Sequence, residues 1–174
     1  LKFQDWSCYT YLRTNTYSGN TPNYIALSGG DYTDNRTVYY QSIPYHVLGD
    51  INMALYANHS RLTVQPGVTM AFNPGTHIQL GWPNSYGGDL WAEGKSDSLI
   101  TFTTYNGLAG GWDGITFTEW NDNWGGTSYL KYCIVEKAAG ANISCGESNQ
   151  PLIERSIFRQ STGHGLSINS GNIT

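Results

Sequence analysis

Tryptophan recurs beside asparagine, aspartate and glycine in two segments of the chain. Residues 82–91 read WPNSYGGDLW, and residues 119–129 read EWNDNWGGTSY. A flat aromatic ring can stack on the face of a pyranose, while amide groups hydrogen-bond its hydroxyls. We therefore predict that both segments are insertions that bind a glycan or a protein partner, unless the rings fold down to shield the core. The candidate ligand-binding residues are Trp82, Tyr86, Trp91, Trp120, Asn121, Asn123 and Trp124.

The acidic residues are scattered, and their pattern predicts no catalytic centre. General acid–base catalysis needs carboxylates and a base that converge, whereas we expect no strand to carry two carboxylates opposite a basic residue. Glu119 and Glu147 are candidates for a glycosidase pair, whose carboxylates would lie about 5–9.5 Å apart, but the coil boundaries between them do not place both on one face. We predict no cofactor; calcium is an alternative at the aspartates that flank Gly, Ser or Asn, although that setting favours turn capping. The densest acidic group is Asp89, Glu93, Asp97, Asp113, Glu119 and Asp122.

Histidine and cysteine give no stronger chemical signal. The four histidines are far apart in sequence, so we interpret them as surface or turn residues rather than metal ligands. Cys133 and Cys145 occupy inward positions of the pattern described next, which favours buried side chains over exposed nucleophiles. Together with Cys8 they make three cysteines, which cannot all pair, and their disulfide state stays open. The histidines are His46, His59, His77 and His164.

A repeat near the end of the chain indicates the elements that must position these residues. Its apolar pattern returns after 23 residues, a distance too short for a helical crossover between parallel strands. Gly140 and Gly163 fall in the same register, where a coil corner needs backbone freedom. We therefore predict a β-solenoid whose coils stack directly. The repeated residues are Leu130, Cys133, Val135, Ile143 and Cys145, which return as Ile153, Ser156, Phe158, Leu166 and Ile168.

Short apolar runs separated by turn dipeptides extend this pattern toward the amino end. Residues 41–174 are therefore predicted to form the coils, and residues 1–40, which lack a repeat, to form an irregular cap. The next inward residue would fall at position 176, beyond Thr174, so we expect an open last coil and a truncated solenoid. Another chain could stack on that coil.

The same offset predicts charge pairs between adjacent coils, about 4.8 Å apart along the solenoid axis. Lys131 lies over Glu154 and Glu136 over Arg159, while Tyr132 lies over the guanidinium of Arg155. We interpret these pairs as a structural ladder on a single outer face rather than as catalytic groups.

Outward threonines suggest one further hypothesis. Residues 100–103 and 115–118 both read ITFT, and flat threonine arrays are typical of ice-binding solenoids. Ser144 and Ser167 occupy the comparable positions in later coils, so a regular threonine face is not maintained. Threonine is also a favoured residue on outer strand faces.

Composition excludes two partner classes. The net charge is −4 and the pI is near 5.4, so no basic stripe is present to hold phosphates, and nucleic acid is not predicted as a partner. No apolar run approaches the roughly 18 residues of a membrane helix, so no membrane insertion is predicted.

Residues 36–174 resemble the secreted right-handed parallel β-helix repeat proteins of bacteria. The likeness is carried by residues 62–72 (LTVQPGVTMAF), 90–94 (LWAEG), 111–117 (GWDGITF) and 130–136 (LKYCIVE). It implies an all-β, right-handed parallel β-helix, exported to the medium or cell surface. The first 35 residues match no family, and their role stays open.

Function is not fixed by this resemblance, because the family includes pectate-lyase-like enzymes, adhesins and surface scaffolds. We expect a non-catalytic module for adhesion, glycan binding or assembly, whose partner is a glycan, another surface protein or a chain stacked on the open C-terminal coil. The alternative is a carbohydrate-active enzyme, either a polysaccharide lyase or a glycoside hydrolase, with its site on the outer face of the coils.

Overall fold

The computed structural model describes residues 2–3, 12–13, 15–53, 60–81, 87–118, 127–146 and 151–169 of the 174-residue chain. Within these ranges the regular structure consists of short strands, and no helix is present. The strands are β1 (Lys2–Phe3), β2 (Ile25–Leu27), β3 (Gly30–Tyr32), β4 (Arg36–Val38), β5 (Tyr45–Val47), β6 (Ile51–Met53), β7 (Ser60–Val64), β8 (Thr69–Phe72), β9 (His77–Leu80), β10 (Gly88–Glu93), β11 (Ile100–Thr104), β12 (Gly114–Phe117), β13 (Tyr129–Lys131), β14 (Cys133–Glu136), β15 (Ala141–Cys145), β16 (Leu152–Glu154), β17 (Ile157–Arg159) and β18 (His164–Ile168).

Three parallel sheets are built by successive coils of the chain. Sheet A has the order β1-β2-β5-β8-β11-β14-β17, sheet B the order β18-β15-β12-β9-β6-β3, and sheet C the order β16-β13-β10-β7-β4. From β2 onward each coil therefore adds one strand to A, then one to B, then one to C. This arrangement is a parallel β-helix, and it confirms the predicted solenoid.

The predicted register of the last two coils is confirmed. Leu130 pairs with Ile153 in sheet C, Val135 with Phe158 in sheet A, and Ile143 with Leu166 in sheet B. The coils just upstream are longer, because insertions lengthen their corners while the strands keep their pairing. In sheet A, for example, Phe102 pairs with both Met70 and Val135.

The core is a column of apolar side chains that face inward from all three sheets. Side chains in a strand alternate between the two faces of a sheet, so every second residue contributes to this column. Burying each of the larger side chains stabilises the fold by about 1.5–3 kcal/mol. Its fully buried members include Phe72, Phe102, Trp112, Phe117, Leu62, Leu90, Met70 and Ile78.

The two ends of the described solenoid differ. Leu12 and Tyr17 pack against the first coil, and the Gln41 side chain bonds to both Leu12 and Tyr17. Strands β2 to β4 already occupy the three sheets, so the predicted cap boundary at residue 40 lies beyond the first coil. At the other end, the inward side chains of Leu166 and Ile168 are 37% and 41% exposed.

Tight corners stack in register in the last coils. Tyr132 and Arg155 both have positive φ at the corner between sheets C and A, as do Lys137 and Gln160 between A and B. A Cβ on Gly163 would overlap the carbonyl oxygen of Gly140, so the predicted register of these glycines has a steric reason.

The charge pairs form as predicted, but their placement on a single outer face was wrong. Lys131 and Glu154 lie 3.2 Å apart on sheet C, whereas Arg159 and Glu136 lie 2.6 Å apart on sheet A. Arg155 donates a hydrogen bond of 2.6 Å to the Tyr132 hydroxyl at the corner between them. The pairs therefore brace two sheets and one corner.

The two ITFT motifs also lie on different sheets. Thr101 and Thr103 belong to β11 of sheet A, and Thr116 belongs to β12 of sheet B within the same coil. They form no common threonine array.

Candidate functional site

Of the seven predicted ligand-binding residues, Trp91 lies within the described part of the chain, in β10 of sheet C. The other six, Trp82, Tyr86, Trp120, Asn121, Asn123 and Trp124, lie outside the described residues. Residues 82–86 connect β9 to β10, and residues 119–126 connect β12 to β13. Because β10 and β13 are parallel neighbours, the chain re-enters sheet C from both connections at the same edge.

The predicted limits of the insertions were too wide. Residues 88–91 belong to β10, and Tyr129 opens β13. The strand period explains this: Asp89, Trp91 and Glu93 face outward, while Leu90 and Ala92 are fully buried on the inner face. Trp91 therefore stands on a sheet rather than on a loop.

Three contacts hold the Trp91 ring in place. The guanidinium carbon of Arg61 lies 3.4 Å from the ring centroid, and the indole Nε1 donates a hydrogen bond of 2.7 Å to the Thr127 carbonyl. The Tyr129 ring, on the next strand, lies 5.7 Å away at 76°. These contacts orient a partly exposed indole on the outer face of sheet C, next to Tyr129 and Thr63 in the same outward column.

Asp89 lies beside this ring and is fully buried, although it faces outward from the sheet. Arg61, directly opposite on β7, approaches it with Nη2 at 3.4 Å from Oδ2. The backbone N–H of Arg61 donates to Asn35 at the preceding coil. Arg61 thus joins a buried carboxylate to an aromatic face, and removing Arg61 would take a cation away from that buried carboxylate. We call Arg61, Asp89, Trp91 and Tyr129 the sheet C cluster.

Strand β10 corrects the prediction that no strand carries two carboxylates opposite a base. Asp89 and Glu93 face outward from the same strand, opposite Arg61 and Lys131 respectively. Four residues of extended strand separate the two carboxylates by about 13 Å, however, which exceeds the 5–9.5 Å of a glycosidase pair. The other predicted pair, Glu119 and Glu147, lies outside the described residues.

A second buried carboxylate, Glu136, lies on the outer face of sheet A. Burial raises its pKa, but hydrogen bonds from Arg159 and Thr103 and the nearby charge of Lys137 outweigh this and lower the pKa below its usual range. Glu136 therefore stays ionised at neutral pH and is a poor general acid. Both carboxylate oxygens of Glu136 accept hydrogen bonds within the fold, Oε1 from Thr103 and Oε2 from Arg159.

The buried thiols are equally unsuited to catalysis. Burial raises the pKa of Cys133 to about 12 and that of Cys145 to about 11, so both stay protonated near neutral pH. Both are free and face inward, as their pattern predicted.

The histidines differ from one another. His77 contacts Asp50 and Asn52 at the surface, and His164 is exposed, whereas His46 is buried, so its interpretation as a surface residue was wrong. His59 lies outside the described residues. Among the residues that the structure describes, no three His, Cys, Asp or Glu side chains could hold a metal ion together.

Sequence reasoning missed Arg61 and Tyr129 as members of the site. The period-2 alternation in β7, β10 and β13 contained the signal, but the register that pairs Arg61 with Asp89 depends on how many residues each corner inserts.

No protein family, curated protein or solved structure matches this chain. None of the described residues belongs to a helix that could cross a bilayer.

Proposed function

We propose that this β-helix is a non-catalytic module that binds glycans through the outer face of sheet C. The observation that carries the proposal is the fixed, partly exposed indole of Trp91 beside Tyr129. Connections rich in Trp, Tyr and Asn enter the sheet at the same edge. An aromatic ring held in place before binding loses little conformational entropy when a sugar stacks on it.

Charge on this face favours a neutral sugar chain. Arg61 already faces Asp89, and Lys131 already faces Glu154. The described basic groups of the face therefore have carboxylate partners, and holding a uronate or sulfate would require breaking these pairs. We expect hydrogen bonds to hydroxyls and ring stacking to supply most of the affinity.

Export and an adhesive role rest on the likeness to secreted bacterial β-helix proteins. In that setting the module would hold a glycan at the cell surface or in the medium. The exposed inward side chains of the last described coil are also compatible with a protein partner or a further chain stacked there.

Calorimetric titration of the full chain tests the proposal. The probes are neutral hexasaccharides of glucose, mannose and N-acetylglucosamine, with a tetragalacturonate as the acidic comparison. We expect a neutral hexasaccharide to bind at the sheet C cluster, and W91A to weaken binding at this cluster at least about tenfold, which corresponds to about 1.4 kcal/mol.

The matched control is Y40A, which removes an exposed aromatic ring at the corner between sheets C and A. It should bind like the wild type. Failure of every neutral probe to bind the wild-type chain, or a W91A variant that binds with both the stoichiometry and the affinity of the wild type, would contradict the proposal.

The alternative function is a carbohydrate-active enzyme, and the observation that favours it is the buried Asp89 beside Arg61. Incubation of each probe with the protein, followed by detection of new reducing ends or unsaturated uronates, separates the two. We expect intact probes. Cleavage that D89N abolishes would replace the binding proposal with a hydrolase or lyase.

A further inference from the structure

One corner between sheets A and B carries an insertion that sequence analysis did not single out. Residues 105–113 connect β11 to β12 and form the longest connection that the structure describes completely. Its two ends differ in exposure. Tyr105 is 45% exposed, whereas Trp112 is fully buried in the core.

Hydrogen bonds fix this insertion to the coils on both sides. The Asn106 side chain accepts bonds from Thr104 Oγ1 and from the Leu108 N–H, both within the insertion or next to it. The N–H of Gly110 donates to the Lys137 carbonyl of the next coil, and the N–H of Tyr105 donates to Phe72 of the preceding one. The backbone that presents Tyr105 is therefore held in one place.

The Tyr105 ring lies flat on His46. Their centroids are 3.4 Å apart and the planes differ by 9°. His46 is buried on the outer face of sheet A, and its Nε2 lies 2.6 Å from Asn73 Oδ1. The stack thus gives Tyr105 a rigid support on one side.

Tyr24 lies at the edge of this stack rather than on its top. Its centroid is 4.6 Å from that of His46 and 5.5 Å from that of Tyr105, and it stands nearly perpendicular to both rings. With the stacking distance of 3.4 Å, these lengths make a triangle that is nearly right-angled at His46. Tyr24 therefore does not cover the face of Tyr105 that points away from His46, and Tyr105 is 45% exposed.

Of the two ring nitrogens of this support, Nδ1 of His46 is buried and has no hydrogen-bond partner among the described residues. Nε2 is the bonded ring nitrogen, at 2.6 Å from Asn73 Oδ1, and this contact fixes the plane of the ring that supports Tyr105.

We infer that Tyr105, supported by His46 and edged by Tyr24, forms a second sugar-stacking site on sheet A. Its ligand class is a neutral pyranose, because the cluster carries aromatic faces and phenolic hydroxyls, while the nearby Glu136 is already paired with Arg159 and Lys137. This site lies on a different sheet from the sheet C cluster and does not depend on it. One chain would therefore hold two sugar chains.

The stoichiometry of binding tests the second site. The full chain and its variants are titrated calorimetrically with the same neutral hexasaccharides of glucose, mannose and N-acetylglucosamine. We expect two molecules of a bound hexasaccharide per wild-type chain, one for Y105A, one for W91A and none for the double variant. Y105F keeps the ring and should keep two, and Y40A is the matched tyrosine control.

Any other number of bound molecules per chain shows which of the two sites is wrong. One molecule per wild-type chain that W91A abolishes and Y105A leaves unchanged would overturn the sheet A site and retain the sheet C site. One molecule that Y105A alone abolishes would do the reverse. No binding of any probe would overturn both sites. Far-ultraviolet circular dichroism shows whether Y105A keeps the fold. If its spectrum is altered, retained binding by Y105F still supports the site.

Discussion

Two regions of the solenoid each combine a tryptophan, an arginine and a carboxylate, but in opposite ways. At the corner between sheets A and B, Trp112 is fully buried, stacks on Phe72 at 4.4 Å and donates its Nε1 hydrogen to the Glu136 carbonyl. Glu136 in turn holds Arg159. On sheet C, Trp91 faces outward, and Arg61 lies between its ring and the buried Asp89.

The contrast distinguishes a tryptophan that stabilises the core from one that could contact a ligand. Trp112 has no exposed surface left for a ligand, and the oxygens of Glu136 are occupied by Thr103, Arg159 and Lys137. Trp91 instead keeps part of its ring exposed while its contacts fix its orientation. Glycines lie near both Trp91 and Trp112 in the sequence, so a tryptophan in a glycine-rich setting does not by itself indicate a binding residue.

The largest expected difference between the regions is in stability. W112A should lower the free energy of unfolding by about 3–5 kcal/mol, because it opens a cavity in the core and leaves the Glu136 carbonyl without its bond. W91A should lower it by about 1 kcal/mol, mainly through the lost contact with Arg61. Urea denaturation of both variants measures this. Equal losses would remove the distinction between a core and a surface tryptophan.

The pH dependence of stability sharpens the comparison at Glu136. Its pKa is lowered in the folded state from the usual 4.5, so its contribution is present above about pH 4.5 and is lost as the pH falls through the lower folded value. E136Q should be about 1–3 kcal/mol less stable at neutral pH, and this deficit should shrink in acid. The check is urea denaturation of both proteins from pH 7 to pH 3. A deficit that stays constant with pH would show that charge is not the cause.

The smallest expected effect concerns the exposed pair of the ladder. Lys131 and Glu154 are 41% and 43% exposed, so their coupling in a double-mutant cycle of K131A and E154A should be below about 1 kcal/mol and weaken with salt. The corresponding cycle for Glu136 and Arg159 should give a larger coupling, since the Glu136 side chain is only 8% exposed. Equal couplings would contradict the role of burial.

Much of the fold was predictable, because the strand period and the 23-residue offset are local properties of the sequence. They identified the inward residues, the last two coils and three stacked pairs, which the structure confirms. The extent of the insertions was not predictable in the same way. The sequence pattern does not say whether residues such as 88–91 continue a loop or begin a strand, since that depends on the neighbouring strand with which they pair.

The candidate site also has one part that could be predicted from the sequence and one part that could not. The aromatic character of residues 82–91 predicted Trp91, and the alternation in β10 places it outward. Its neighbours Arg61 and Tyr129 come from other coils at different sequence distances, and His46 joins Tyr105 across a still longer interval. No constant offset relates these residues, so inspection of the repeat could not bring them together.

The 23-residue return of alternating apolar residues is enough to predict stacked parallel coils, because it is too short for a helical crossover and lets each coil bury its apolar side chains against the next. Which polar and aromatic side chains meet on the outer faces depends on the tertiary structure. The interior fixes the strand register through packing, whereas corner lengths vary freely at the surface. Register and corner length together bring Arg61 to Trp91 and Tyr105 to His46.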